Sequence, residues 1–347
     1  AQLYRAVVSG NLRSWRRLLR LSRLMAGLAP CDLHLGEGDF CLTLAQGLEG
    51  KPRKARRLAL RGIERAGDAL RLIARAGIEQ IASNLSPVMS VNGESVEGVH
   101  QMRVGVRRLR SALSLFRPLL PPESAVRVLA DLRELGSLMG PVRDRDVFLE
   151  TIMAPVRALA SDHEGLISLE ETLTQERDAI FDAARHALDQ SRFASFMLDL
   201  LEWSEAGTLA LDSDLLEFAD AALDKRHAKL IKAGRDFETL DPLQRHALRI
   251  RGKKMRYAGD FLQSLFPSGK TRRYLDALAE LVEVLGHLND IAVAKRVLEE
   301  RLASSNDSSL HHGIGLAEGW HAGRAALLEE QAVKAWAEFK RQDRFWK

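Results

Sequence analysis

VHQMRVGVRRLRSALSLFRPLLP, residues Val99–Pro121, decides the reading of the fold. At about 100° per residue, Met102, Val106, Leu109 and Leu113 cluster on one side of a helical wheel. His100, Arg103, Arg107 and Arg110 form a second stripe beside them, at about 0°, 300°, 340° and 280°. The period predicts a helix, stopped by Pro118 and Pro121. The pattern recurs as RHALRIRGKKMRYAGDFLQSLFP, Arg245–Pro267. There Leu248 and Met255 take the core side, Gly252 and Gly259 allow close helix approach, and His246, Arg249, Lys253 and Arg256 form the stripe. The offset is 146 residues, and it continues without a gap from LMGPVRDRDV (Leu138–Val147) to VLGHLNDIAV (Val284–Val293). Of the 51 positions from His100 to Glu150, 14 are identical at that offset. They include His, Arg, Pro, Gly and Asp, whereas unrelated Leu/Arg-rich helices would share only scattered leucines. We read a duplicated unit of about four helices.

Working outward, the whole chain reads as helical. Leucine, alanine, arginine and glutamate dominate, aromatics are 6%, and no alternating β-branched stretch suggests a sheet. Helices are expected near 3–27, 53–85, 96–117, 123–139, 143–160, 166–189, 193–205, 212–234, 241–264, 270–286, 288–303 and 316–342. Ser304–Gly315 reads as a loop that contains His311 and His312. The predicted fold class is all-α: two four-helix bundles related by a pseudo-twofold axis, with extra N- and C-terminal helices. Residues 1–52 read as a separate N-terminal segment and 53–347 as the main domain, with repeat halves about 53–190 and 191–347. In the N-terminal segment Leu12, Trp15, Leu18, Leu19 and Met25 line one helix face, with Arg13, Arg16, Arg17, Arg20 and Arg23 elsewhere. Such a helix either packs on its own protein or lies on a membrane or partner surface.

The 347 residues carry 51 Lys+Arg against 47 Asp+Glu, a formal charge of +4, with mean hydropathy −0.16. This is the profile of a globular protein, and no run of about 18 apolar residues could span a membrane. The start, AQLYRAVVSG, lacks the layout of a secretion signal. Cys31 and Cys41 have no metal spacing and do not make a disulfide scaffold, so a reducing cytoplasm is expected. The small net charge hides an uneven distribution: no acid occurs between Glu97 and Glu123, or between Asp241 and Asp260.

Each stripe therefore repels itself, at a few tenths of a kcal/mol per neighbouring pair. A ligand with repeated negative charge would remove that cost. Arginine's fork suits phosphate oxygens, and lysine adds point charge. Arg143 and Arg145 follow Pro141 as further candidate contacts, and Asp144 with its counterpart Asp290 reads as an organiser of a helix start. Arg226 and Lys229 extend the second stripe, as Arg71 and Arg75 extend the first. No Cys or carboxylate stands at ligand spacing from His100 or His246, so neither a metal nor another cofactor is expected.

The blocks HQMRVGVRRLR and HALRIRGKKMR, followed by GPVRDRDV and GHLNDIAV, resemble the paired signatures of the CHAD domain, the conserved histidine α-helical domain. The resemblance covers roughly Lys54 to Phe345. It implies two four-helix bundles about a pseudo-twofold axis with a basic central groove, binding of inorganic polyphosphate, and association with polyphosphate or polyhydroxyalkanoate granules. It also adds Arg108 and Lys254, which lie off the main stripe at about 80° on the wheel. Many members follow a CYTH domain, the triphosphate tunnel metalloenzyme fold. Asp32–Gly50 and the basic stretch after it are similar to the end of such a domain, but its strand-borne carboxylates are missing, so its triphosphatase activity is not carried over.

The leading expectation is thus non-catalytic binding of inorganic polyphosphate in a groove formed by the two stripes, in a cytoplasmic, granule-associated protein. The residues are His100, Arg103, Arg107, Arg108, Arg110, Arg143 and Arg145, with Arg226, Lys229, His246, Arg249, Lys253, Lys254 and Arg256. Phosphate or sulfate ions fit the same site. The alternatives are a metal-dependent phosphohydrolase acting on polyphosphate and a structural coat protein of storage granules. Sequence-specific nucleic-acid binding is not expected, because Tyr257 is the one aromatic in the stripes and no base-stacking platform exists.

Overall fold

The computed structural model describes residues 15–28, 51–89, 95–121, 123, 125–188, 190–205 and 212–347. Cys31, Cys41 and the junction-like stretch Asp32–Gly50 lie outside them. Among the described residues the fold is all-α, as predicted, and the one β contact is an isolated bridge between Arg65 and Asp214. The helices are α1 (Trp15–Leu28), α2 (Ala66–Ser83), α3 (Leu85–Met89), α4 (Ser95–Phe116), α5 (Val126–Val147), α6 (Ala154–Leu159) and α7 (Glu164–Ala187). They continue with α8 (Gln190–Glu205), α9 (Leu215–Ala233), α10 (Pro242–Leu262), α11 (Gly269–Ser304) and α12 (Ser308–Arg341). The chain divides into two compact units, Ala1–Arg143 with Phe181–Asp214, and Asp144–Ile180 with Leu215–Lys347.

In the first unit α4 buries Met102, Val106, Leu109, Leu113 and Phe116 and packs on α2 and α3. Helix α1 packs on α8, burying Leu19 and Ala26 against Ala194 and Leu198. Arg23 of α1 pairs with Asp199 and Glu202 of α8. That helix therefore rests on its own protein, one of the two alternatives raised by its pattern. In the second unit α10 starts at a capping box, where Asp241 and Gln244 exchange side chain-to-backbone hydrogen bonds of 2.8 and 2.9 Å. Helix α10 packs on α9 and α11, and α11 packs on α12. Two buried clusters support this unit. One joins Phe148, Ile152, Leu166, Leu173, Leu298 and Ile314. The other stacks His227, Tyr274, Phe339 and Trp346 edge-on or tilted. The side chains of Arg344, Trp346 and Lys347 fasten the last residues to Asp220 and Asp224 of α9.

Two local features recur at a spacing of 146 residues. Helix α4 runs into a 3₁₀ turn at Arg117–Leu119, and α10 into one at Gln263–Leu265. The packing carries the same register in an unexpected way. A Cβ on Gly136 would lie 3.7 Å from Val106 Cγ1, and a Cβ on Gly252 only 2.7 Å from Val282 Cγ2. Positions 106 and 252 correspond, as do 136 and 282. The valine sits on α4 in one unit and on α11 in the other, and a glycine receives it each time.

Several boundaries differ from expectation. The expected helix over 53–85 starts only at Ala66. Residues 51–64 instead bury Leu58 and Leu60 and turn through Gly62 at φ +81°. Helix α5 runs through Pro141 and ends in a π-turn, Phe148–Met153, instead of breaking near 140. Helix α11 is continuous across Gly286, because burial of Leu285, Ala294 and Leu298 outweighs the roughly 1 kcal/mol cost of a helical glycine. Ser304–Gly315 is mostly helix, not loop. Asp307 caps the backbone amides of Ser309 and Leu310, so α12 begins at Ser308 and takes in His311 and His312. Gly313 is a contact residue there: a Cβ would lie 2.8 Å from the Gly165 carbonyl carbon.

Candidate anion-binding site

In the first unit the stripe lies along α4, with His100, Arg103, Arg107 and Arg108 half-buried and Arg110 exposed. Helix α5 offers it a track of two glycines one turn apart. The Arg103 guanidinium lies on Gly140, where a Cβ would stand 2.8 Å from Nη1, and Nη1 donates to the Gly136 carbonyl at 3.4 Å. Arg110 Nη1 is 3.9 Å from the place of a Gly136 Cβ. Arg107 keeps its Nε buried without a hydrogen-bond partner. Among the described residues neither Arg107 nor Arg110 forms an ion pair.

In the second unit Arg249 and Lys253 are half-buried and His246, Lys254 and Arg256 exposed. Arg249 lies against Gly286, the counterpart of Gly140, with Nε 3.7 Å from a notional Cβ. Its Nη2 stands 3.8 Å from Asp290 Oδ1. Asn289 donates from Nδ2 to the same oxygen at 3.3 Å, which turns the amide oxygen toward His246 Nδ1. That oxygen can only accept, so His246 carries its proton on Nδ1. Sequence reasoning identified Asp290 as an organiser but missed this relay from histidine to carboxylate; only the one-turn proximity of positions 286 and 290 hinted at it. Lys254 and Arg256 form no ion pair among the described residues.

The remaining candidates fall differently. Arg145 is held by Glu176 at 3.1 Å, and Glu176 also binds Arg301, so its charge is compensated locally. The neighbouring Asp146 takes Arg177 at 2.8 Å in a nearly closed pocket. Arg226 donates from Nη1 to the Lys254 carbonyl at 3.2 Å, and burial lowers its pKa below the ordinary arginine value. This ties α9 to the stripe helix, while Lys229 is exposed. In the first unit Arg71 pairs with Asp68 at 2.6 Å, and Arg71 and Arg75 both approach Glu205. Among the described residues no cluster of three or more His, Cys, Asp and Glu is placed to hold a metal ion, and no helix is long and apolar enough to cross a membrane.

Both stripes, with Gly140 and Gly286 on which Arg103 and Arg249 lie, fall inside residues 72–299, the span matched by the sequence model of the CHAD domain. The chain belongs to the CHAD domain family. The crystal structure of the CHAD domain from the plant Ricinus communis superposes with a TM-score of 0.72 at 31% identity, covering 84% of this chain and 97% of that one. PptA from Streptomyces chartreusis shares the fold, with a TM-score of 0.55 at 14% identity, over 79% of this chain and 99% of its own. Two curated relatives, the uncharacterized proteins MT2285 and Rv2226 of Mycobacterium tuberculosis, are each 27% identical over 53% of this chain. The alignment spans 38% of their length, so the CHAD chain corresponds to a part of those proteins.

Proposed function

We propose that this CHAD protein binds inorganic polyphosphate without hydrolysing it, through both stripes, and that this binding brings it to phosphate-rich granules. One observation carries the reading: Arg107, Arg110, Lys254 and Arg256 stand in two stretches, 98–122 and 242–259, that contain no acid, and form no ion pair among the described residues, while arginines nearby, such as Arg145, are paired. Closely spaced cations on a helix face repel one another, and a polyanion with repeating charge relieves that repulsion. Gly140 and Gly286 let Arg103 and Arg249 lie on the neighbouring helix, which limits the rotamer freedom lost on binding.

The test is a titration with polyphosphates of graded length at several salt concentrations. Counterion release predicts a logarithmic slope of about 0.7–0.9 per phosphate neutralised, on the scale established for nucleic acids. Wild type should lose affinity steeply between low and high salt, and Arg103→Glu with Arg249→Glu should abolish binding. Salt-independent binding, or full binding by the double variant, would refute the stripe assignment. Release of orthophosphate from polyphosphate on adding Mg²⁺ or Mn²⁺ would refute the non-catalytic reading.

A further inference from the structure

Within the first unit, residues of α5 and α8 line a cleft of about 200 Å³. Its floor is apolar: Leu135, Leu188 and Phe193 are buried, and Leu138 and Phe196 are half-buried. Two ion pairs bridge the helices beside it, Arg127 with Asp199 at 2.9 Å and Arg192 with Glu134. Arg23 of α1 also approaches, shared between Asp199 and Glu202. Asp131 stands between the two bridges along α5, one helical turn from both Arg127 and Glu134. Both lining arginines are engaged, and the half-buried Asp131 carboxylate forms no hydrogen bond or ion pair among the described residues. Burial raises its pKa above the ordinary carboxylate value; Asp199 and Glu134 add to this, while Arg127 and Arg192 act against it. Three acids and two arginines thus line the cleft, and one acid is left over.

We propose that this cleft binds a small primary amine, whose ammonium group meets Asp131 while its apolar body lies on Leu138 and Phe196. An ammonium brings three donors to a group that only accepts. An anion would add to the excess of negative charge, and a neutral apolar molecule would leave the carboxylate further desolvated and uncompensated. The ligand is small, because the cleft falls below the roughly 300–1,000 Å³ of pockets for drug-sized molecules. On the wheel of α5, Asp131, Glu134 and Leu138 lie within about 40° of Arg127, whereas Gly136 and Gly140, which receive the stripe, lie at about 180° and 220°. The cleft therefore opens on the other side of α5 from the stripe, and the inference is independent of the polyphosphate reading.

Benzylamine and cyclohexylamine are titrated calorimetrically into the full chain, with benzyl alcohol as the neutral counterpart. Both amines should bind saturably, and the alcohol more weakly than benzylamine. Asp131→Asn keeps the shape and removes the charge. It should weaken amine binding about tenfold or more, the value of one charge-assisted contact, and leave the alcohol unchanged. Its melting temperature should equal or exceed that of wild type, since folding disfavours the ionised form of a carboxyl whose pKa it raises. Absence of saturable binding by either amine overturns the site. Equal binding of benzylamine and benzyl alcohol, or unchanged amine binding by Asp131→Asn, overturns the pairing with Asp131. Lost binding together with a lowered melting temperature marks a structural carboxylate and overturns it as well.

Discussion

Gly140→Ala adds a single methyl group at the point where the two helices of the first unit hold Arg103. The new Cβ would stand 2.8 Å from Nη1, and carbon contacts are favourable only near 3.5–4.0 Å, so the guanidinium must move by about 1 Å. The clash is with the far end of a flexible side chain, so the fold accommodates it. Alanine also favours helix by up to about 1 kcal/mol over glycine. Stability should therefore hold or rise slightly while the arginine loses its place. A charge-assisted hydrogen bond contributes about 1.5–3 kcal/mol, so complete loss would cost roughly tenfold to hundredfold in affinity. Arg103 recovers part by rotating, and we expect a loss of about three- to tenfold. Gly286→Ala is the internal control, because its Cβ would lie at an ordinary 3.7 Å from Arg249 Nε. That variant should be neutral for binding and at least as stable as wild type. Calorimetric titration with polyphosphate, paired with thermal melts, reads both quantities. Unchanged binding by Gly140→Ala, or equal losses from the two variants, would show that the glycine does not set the position of the arginine.

Other predictions follow from the packing and from buried histidines. Gly252→Val should destabilise the second unit by roughly 1–3 kcal/mol through overpacking against Val282. Adding Val282→Gly recreates the arrangement of the first unit and should recover much of the loss; additive effects in a urea-denaturation cycle would refute the equivalence of the two packings. His321 donates from Nε2 to the Ile152 carbonyl inside the π-turn. Burial holds its pKa below the ordinary value, and Arg324 adds to this against the Ile152 hydrogen bond. The unfolded chain then takes up the proton first. The stabilisation is present above about pH 6.5 and is lost as pH falls toward the lowered folded value. His227 is shifted the same way, chiefly by burial. His321→Gln should therefore show a flatter fall in urea midpoint from pH 7.5 to 5.5, and a parallel fall would exclude the residue as the source. Asp224→Asn should weaken the hold on Arg344 and Lys347 and expose Trp346 to solvent, visible as a red-shifted tryptophan emission; an unchanged spectrum would mean that the apolar contacts alone seat the last residues.

The stripe helices were legible because their signal is local. The apolar positions of Val99–Phe116 repeat every three or four residues, and the prolines lie at the ends, so the buried face of α4 followed directly. The arginine-on-glycine contacts were half legible, since Arg103 and Gly140 recur together as Arg249 and Gly286 without showing that they touch. What stayed hidden depends on distant segments. Glu176 lies 125 residues from Arg301, and nothing along the chain marks it as the partner of both Arg301 and Arg145. The loop expected at Ser304–Gly315 failed for a similar reason. Gly313 meets the backbone of Gly165 on another helix, and the Asp307 cap outweighs local glycine content.

The reversed valine–glycine pairs also bear on how such a chain reaches its native state. A protein with two similar helix pairs must avoid joining a helix from one pair to the partner from the other while it folds. If α4 met α11 in the wrong register of pairs, Val106 and Val282 would compete for space that natively holds one side chain. If α10 met α5 instead, Gly252 and Gly136 would face each other across a hole. One wrong pairing is too full and the other too empty, so a difference of one residue per helix discriminates against both exchanges at once.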